Sequence, residues 1–257
     1  MPLKSRNFAT SFLFNRTLEI PIMHHTSHYD PPVFRHKTTL MQRTLDYVRL
    51  GYHWHTSGSV PLAKAPAFAR KFRDLYLVHL SADQRYRRKK AGLGNAVLLL
   101  WQAPEAPDAV TFILLVTDGD HPAHKLEQLN DAHHKNQHVT LTGYELVRLT
   151  KAGTDNPVWT WRMTDASYEA WRLRIIRACR TDVHQPARQA WHSLYGTPGF
   201  SGARSQVGKL VALFRAEWRR NKGDTSLFFP KARLGYIQRL KNDSRPLSVV
   251  MKVDSNH

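Results

Sequence analysis

Cysteine is nearly absent: Cys179 is the single one in 257 residues. No disulfide can form within the chain, and a cysteine-based zinc finger is excluded. That fits a reducing, cytoplasmic compartment. Long apolar runs are lacking too. No stretch approaches the ~20 residues of a membrane helix, and no membrane partner is expected. The start (Met1-Pro2-Leu3-Lys4-Ser5-Arg6) leads into a short Phe12-Leu13-Phe14 patch without the continuous apolar core of a secretory signal. Acidic residues are scarce, with 20 Asp+Glu against 38 Lys+Arg, a formal charge of +18. A field of that sign concentrates polyanions, and phosphate backbones are the usual partner of a basic domain. An anionic membrane surface normally meets a short polybasic segment beside an apolar anchor, whereas here the cations run through the whole chain.

What is present suffices for one or two cores: 42% of residues are hydrophobic. Residues 1–44 show no clean period and read as an irregular arm, with a strand near Leu18–Met23. From Leu45 onward Val48, Leu50, Tyr52 and Trp54 alternate with Arg49, Gly51, His53 and His55, a period of two that predicts a strand. Ala65, Phe68, Ala69, Phe72, Leu75 and Tyr76 take helical spacing, with Arg70 and Arg73 off that stripe. Ser81 and Gln84 have the capping-box spacing and open a short helix. Apolar runs at 95–102 and 110–117 read as a hairpin. Pro122 begins a helix carrying Leu126, Leu129 and Ala132, and strands at 139–150 and 158–163 pair across a turn. The order β-α-β-β-α-β predicts an α+β, ferredoxin-like module over 45–163, with a basic helical finger inserted near 81–92 and one sheet face left open. Residues 164–257 read as a helical basic region, capped by Thr164 or Asp165, ending in a loosely ordered tail.

The run Arg85, Arg87, Arg88, Lys89, Lys90 is the strongest chemical signal. Five cations within six residues cannot all pair with the few acids nearby, so they suit phosphates along a nucleic-acid groove; a solvated, frayed helix is the alternative. The loop Gly196–Gly202, followed by Arg204 and Lys209, offers close backbone approach and helix N–H donors. It lacks a Gly-Lys-Ser/Thr ending, and an ordinary helix–helix turn explains it as well. Arg215, Arg219 and Lys222 add cations along the next helix. If 45–55 is a strand, Arg49, His53 and His55 share one face. Imidazoles there suit general acid–base chemistry on RNA or base stacking, unless they are ordinary surface histidines. His121, His124, His133, His134 and His138, like His24, His25 and His28, are too loosely spaced to call for a metal. Asp118 and Asp120 flanking Gly119 read as a turn or as a Mg²⁺ carboxylate pair, and Trp159 and Trp161 as core or as a base-stacking surface. No cofactor is called for.

A basic ferredoxin-like module with an arginine-rich helical insertion, Arg85–Lys90, and a glycine-rich loop, Gly196–Gly202, resembles the CRISPR repeat-processing endoribonucleases over residues 45–222. The helix-rich basic form looks most like the type IV, plasmid-borne branch. The resemblance implies a RAMP-type protein that binds a hairpin in each CRISPR repeat transcript. It implies metal-independent cleavage, with the substrate 2′-hydroxyl attacking the adjacent phosphate. It also implies retention of the hairpin within a CRISPR ribonucleoprotein. His53 or His55 is then the general base, and Arg49 or the finger arginines support the phosphate. A non-enzymatic DNA-binding protein of a plasmid or mobile element stands as the alternative, and a sequence-indifferent RNA-associated protein as a third reading.

Overall fold

The computed structural model describes residues 29–150, 153–223 and 234–254. The expected strand Leu18–Met23 and His24, His25 and His28 lie outside them. The described chain runs β1 (Pro32–Phe34), α1 (Lys37–Arg49), β2 (Trp54–Pro61), α2 (Ala65–Tyr76), α3 (Ala82–Lys90), β3 (Ala96–Trp101), β4 (Ala109–Val116), α4 (Ala123–Leu126), β5 (Asn130–Asp131), β6 (Thr140–Leu141), β7 (Tyr144–Thr150), β8 (Pro157–Met163), α5 (Asp165–Arg180), α6 (Gln185–Tyr195), α7 (Ser201–Lys222), β9 (Ser244–Pro246) and α8 (Leu247–Asp254). It is a mixed α+β chain, as expected.

The first correction falls at residues 37–55. Lys37–Arg49 is a helix, not an arm followed by a strand, and it buries Leu40, Met41, Leu45 and Val48 along one stripe. The apparent alternation begins inside its last turn. It continues through Leu50, which is 65% exposed, and Gly51, whose φ of +99° suits a residue without Cβ. A helix end plus a turn thus imitates period two over a short window. The strand starts only at Trp54.

Six strands form the main sheet in the order β5-β2-β4-β3-β1-β9. β2 and β4 pair antiparallel from Trp54↔Val116 to Pro61↔Ala109, and β3 and β4 form the expected hairpin. β1 lies parallel to β3, with β9 antiparallel outside it. Every residue of β3 is buried, because both faces of the sheet are covered. On one face Ala65, Ala69, Phe72 and Tyr76 of α2, with Leu247 and Val250 of α8, pack on Leu98, Leu100 and Leu114. On the other, Leu40, Met41, Leu45 and Val48 of α1 meet Val97, Leu99, Ile113 and Leu115, along with Leu146 and Trp161. Each such side chain contributes roughly 1.5–3 kcal/mol by leaving water. The expected open sheet face is therefore occupied, and the unbroken apolar run of β3 was its signature.

Two further expectations change. Residues 139–150 are not one strand: Thr142 and Gly143, with φ of 39° and 80°, fold them into the β6–β7 hairpin. That hairpin belongs to a separate sheet of order β6-β7-β8. The helix from Pro122 lasts only to Leu126, after which the chain extends and β5 pairs with β2. Thr164 caps α5, its Oγ1 accepting from the Ser167 N–H. α5, α6 and α7 then bury Ile175, Cys179, Trp191, Leu194, Leu210, Phe214 and Trp218 among themselves. Nor does the described tail hang free. The Gln42 amide donates to the Gln238 carbonyl and accepts from the Leu240 N–H, and β9 and α8 complete the edge of the main sheet.

Candidate nucleic-acid interface

α3 starts from a complete capping box. The Ser81 hydroxyl accepts from the Gln84 N–H at 3.3 Å, and the Gln84 side chain accepts from the Ser81 N–H at 2.9 Å. Its last turn carries Arg87, Arg88, Lys89 and Lys90, where cations favour the negative end of the helix. These two features let the helix hold without a core, for it buries no residue at all. It is tied down only at its root. Arg88 donates twice to the Gly94 carbonyl, from Nε at 3.2 Å and Nη2 at 3.0 Å. The Asn95 amide donates to the Arg85 carbonyl at 3.0 Å. Arg87, Lys89 and Lys90 are exposed. So is Tyr86, over whose ring the Lys90 ammonium sits 4.9 Å from the centroid. None of the ion pairs among the described residues involves Arg85, Arg87, Arg88, Lys89 or Lys90. The finger thus presents uncompensated charge with an aromatic beside it, a pairing that suits phosphates and an unstacked base.

The remaining predicted cations are not gathered onto one surface. Arg70 and Arg73 lie on α2, against one face of the main sheet, and Arg73 donates to Asp74 at 2.7 Å. α7 packs on β8 and α5, beyond the opposite face. Along it Lys209 and Arg219 are exposed and Arg215 is partly so. Lys222 pairs with Asp182 at 3.6 Å. Arg204 donates to the Leu234 carbonyl at 2.8 Å and lies 3.4 Å over the Tyr236 ring. The glycine loop serves packing. A Cβ on Gly202 would sit 2.8 Å from the Trp161 carbonyl, one on Gly199 would strike the Gly235 carbonyl, and the Gly202 N–H is already bound by the Thr160 hydroxyl. That loop is a close helix–strand junction rather than a phosphate cradle.

The predicted catalytic trio is rearranged by the α1 correction. Arg49 ends a helix, His53 lies in the connection and His55 is in β2, so they share no strand face. The His55 ring is 3% exposed and engages the Gln137 carbonyl at 2.7 Å. Burial pushes its pKa down, which makes it a core group out of reach of a substrate. His53 remains accessible. Because β5 pairs Trp54↔Asp131 and the Ala132 N–H donates to the His53 carbonyl at 2.9 Å, the chain sets His133 beside it. The two imidazole centroids are 4.1 Å apart at 67°. Trp159 backs both rings, at 6.1 Å from His53 and 5.1 Å from His133. Arg148 stands 5.8 Å from that indole, and Arg49 donates to the Trp159 carbonyl at 3.2 Å. Burial first, then the neighbouring His133 and Arg148, hold His53 below the ordinary imidazole range against Asp118 and Asp131. Two imidazoles in contact, one held neutral and both near a guanidinium, offer a proton acceptor, a second imidazole and a positive charge at one spot on the surface.

The sequence pattern missed the pairing of His133 with His53, because that placement depends on a two-residue strand. Three of the other predicted histidines have partners. His121 bridges the Tyr76 carbonyl and the Ala123 N–H, His124 meets the Thr117 carbonyl, and His138 pairs with Glu145. Among the described residues no group of three His, Cys, Asp or Glu is placed to hold a metal ion. Asp118 accepts from the Trp54 indole at 2.8 Å, and Asp120 lies 3.5 Å from Lys125, as turn residues. Among the described residues no helix is long and apolar enough to cross a membrane. Comparison with protein-family models, curated proteins and solved structures returns no match.

Proposed function

We propose that this chain is an RNA-binding endoribonuclease that grips a hairpin, of the kind found in CRISPR repeat transcripts, with α3 and cleaves it without a metal at His53 and His133. The observation that carries the reading is α3 itself. A helix that buries no residue, is capped at its start, is pinned at its root and bears five cations with no acidic partner among the described residues exposes far more charge than its own anchoring uses, and that charge suits a phosphate backbone. The strand order lends support. Apart from the inserted α3, β2-α2-β3-β4-α4-β5, with the antiparallel stretch β5-β2-β4-β3 of the six-stranded sheet, is compatible with a ferredoxin-like succession, although its last helix and strand are very short.

In this reading His53, held neutral, takes the proton from a ribose 2′-hydroxyl. The 2′-oxygen attacks the adjacent phosphorus, and the bond to the 5′-oxygen breaks as His133 delivers a proton to it. Arg148 meets the charge on the non-bridging oxygens, and Arg49 positions the Trp159 segment behind the rings. The products are a 2′,3′-cyclic phosphate and a 5′-hydroxyl. DNA, lacking the 2′-hydroxyl, cannot react this way.

The test is incubation of the full chain with labelled CRISPR-repeat hairpins in EDTA, beside a scrambled hairpin and duplex DNA. A single cut at the hairpin base is expected. His53→Ala and His133→Ala should each slow it on the order of 10²–10⁴-fold, the range for a lost acid or base. Tight hairpin binding without a cut removes the catalytic assignment. Preference for duplex DNA replaces the reading with a DNA-binding protein of a mobile element.

A further inference from the structure

At the root of α3 lies a cavity of about 300 Å³, the lower end of the range for small-molecule sites. Its position follows from the sheet. β1 pairs only with Leu100 and Trp101 of β3, so the preceding stretch of β3, Val97–Leu99, faces the cavity rather than β1. Tyr29, Tyr47 and His79 line it, and among the described residues no carboxylate does. Two guanidiniums reach it. Arg43 is committed and has an acidic partner, donating to Asn242 at 2.5 Å, Asp46 at 2.8 Å and the Leu240 carbonyl at 2.7 Å. Arg85 has no acidic partner among the described residues. Its Nη2 donates to the Val78 carbonyl at 3.3 Å and the Tyr52 hydroxyl is a further partner, both neutral, while its Nε is buried with no hydrogen-bond partner among the described residues. A partly buried guanidinium whose partners here are all neutral can take an anion at the cavity wall. Burial lifts the Tyr29 phenol to about 12, so it stays protonated and able to donate. Flat aromatic walls beside that anion position suit a nucleobase.

We infer that this cavity is a nucleotide subsite, taking one phosphate-bearing nucleotide with the phosphate on Arg85 and the base among Tyr29, Tyr47 and His79. The inference deepens the nucleic-acid reading and rests on it only for the source of the nucleotide. That source is either an unstacked residue of the strand held by α3 or a free mononucleotide.

Isothermal titration of the full chain with uridine and adenosine 5′-monophosphates, the matching nucleosides and inorganic phosphate tests the chemistry. The monophosphates are expected to bind at least tenfold tighter than the nucleosides and tighter than phosphate. Arg85→Met should weaken them tenfold or more, while Arg172→Met, on α5 and outside the cavity, should leave them unchanged. Should Arg85→Met fail to fold, Ser244→Phe, which narrows the cavity from β9, gives the same reading. Equal binding of nucleosides, or monophosphate binding indifferent to Arg85 and Ser244, overturns the subsite. The source is read with 2-aminopurine placed in turn along a single-stranded RNA. Increased emission at one position, lost in Arg85→Met, assigns a nucleotide of the strand, and monophosphate binding without such a position assigns the free nucleotide. Hairpin binding with no monophosphate binding and no such position sinks the subsite alone. Monophosphate binding with no hairpin binding sinks the endoribonuclease reading alone.

Discussion

Arg88 and Gly94 join the basic finger to the main sheet: both Nε and Nη2 of the arginine donate to that one carbonyl, at 3.2 and 3.0 Å. Gly94 itself has no room to change, since a Cβ there would sit 2.7 Å from that of His121. Within a run of five cations the structure therefore separates an anchor from its exposed neighbours. Arg88 holds the helix, while Arg87, Lys89 and Lys90 face outward.

Stability should divide accordingly. Arg88→Ala removes a charge-assisted pair of bonds to a partly buried carbonyl and should cost about 1–2 kcal/mol. Ser81→Ala removes the cap at the other end and should cost about 1 kcal/mol of α3 stability. Arg87→Ala, Lys89→Ala and Lys90→Ala should each stay within about 0.5 kcal/mol. Urea melts of the full chain, with hydrogen exchange over 82–90, measure both. An Arg88→Ala variant as stable and as protected as the parent would remove the anchor assignment.

RNA binding should divide the opposite way. Each phosphate contact contributes about 0.7 to 0.9 to the slope of log K against log salt. The combined change Arg87→Ala, Lys89→Ala and Lys90→Ala should reduce that slope by roughly 2–3 and weaken all sequences alike. Filter binding across 50–300 mM salt reads it, about the range over which such contacts are lost. An unchanged slope would place the backbone contacts away from α3.

Much of this arrangement was legible in the sequence, and the failures have physical causes. The capping box, the β3–β4 hairpin, the Thr164 cap and the buried Trp159 and Trp161 are local signals, carried by spacing within a few residues. α1 was lost because its final turn, read with Leu50 and Gly51, imitates a strand. His133 was invisible as a partner of His53 because only pairing across 77 positions of chain brings Asp131 to Trp54. The cavity at Arg85 likewise needs β1, β9 and α3 at once. Tertiary pairing, not propensity, builds both candidate sites.

Trp161 shows what the core tolerates. Its ring is fully buried, and its indole N–H donates to the Met41 carbonyl at 2.9 Å, tying β8 to α1. Trp161→Phe keeps an aromatic but leaves that carbonyl without its donor and a void behind the smaller ring. The expected loss is about 2–4 kcal/mol, seen as a lower urea midpoint with unchanged m-value. A loss under 1 kcal/mol would mean that the α1–β8 seam repacks freely.

Acid stability should depend on His121. Its ring is 1% exposed, its Nε2 donates to the Tyr76 carbonyl at 3.2 Å, and its Nδ1 accepts from the Ala123 N–H at 3.2 Å. Both nitrogens are satisfied in the neutral form, whereas a second proton would set a donor against a donor. Burial, against the pull of the Tyr76 carbonyl and helped by Arg88 and His124, lowers its pKa from 6.5 to about 4. Between those values the unfolded chain binds the proton and the folded chain does not, so stability rises with pH across this window. The contribution is complete above about pH 6.5 and is lost as pH falls toward 4, amounting to roughly 3 kcal/mol. Burial depresses His53 and His55 as well, so the total acid slope exceeds the share of one group. The difference between the parent and His121→Gln isolates it. The variant should be weaker at pH 7.5 and should lose less between pH 6.5 and 4. Parallel stability curves across that window would show that His121 titrates normally in the folded chain.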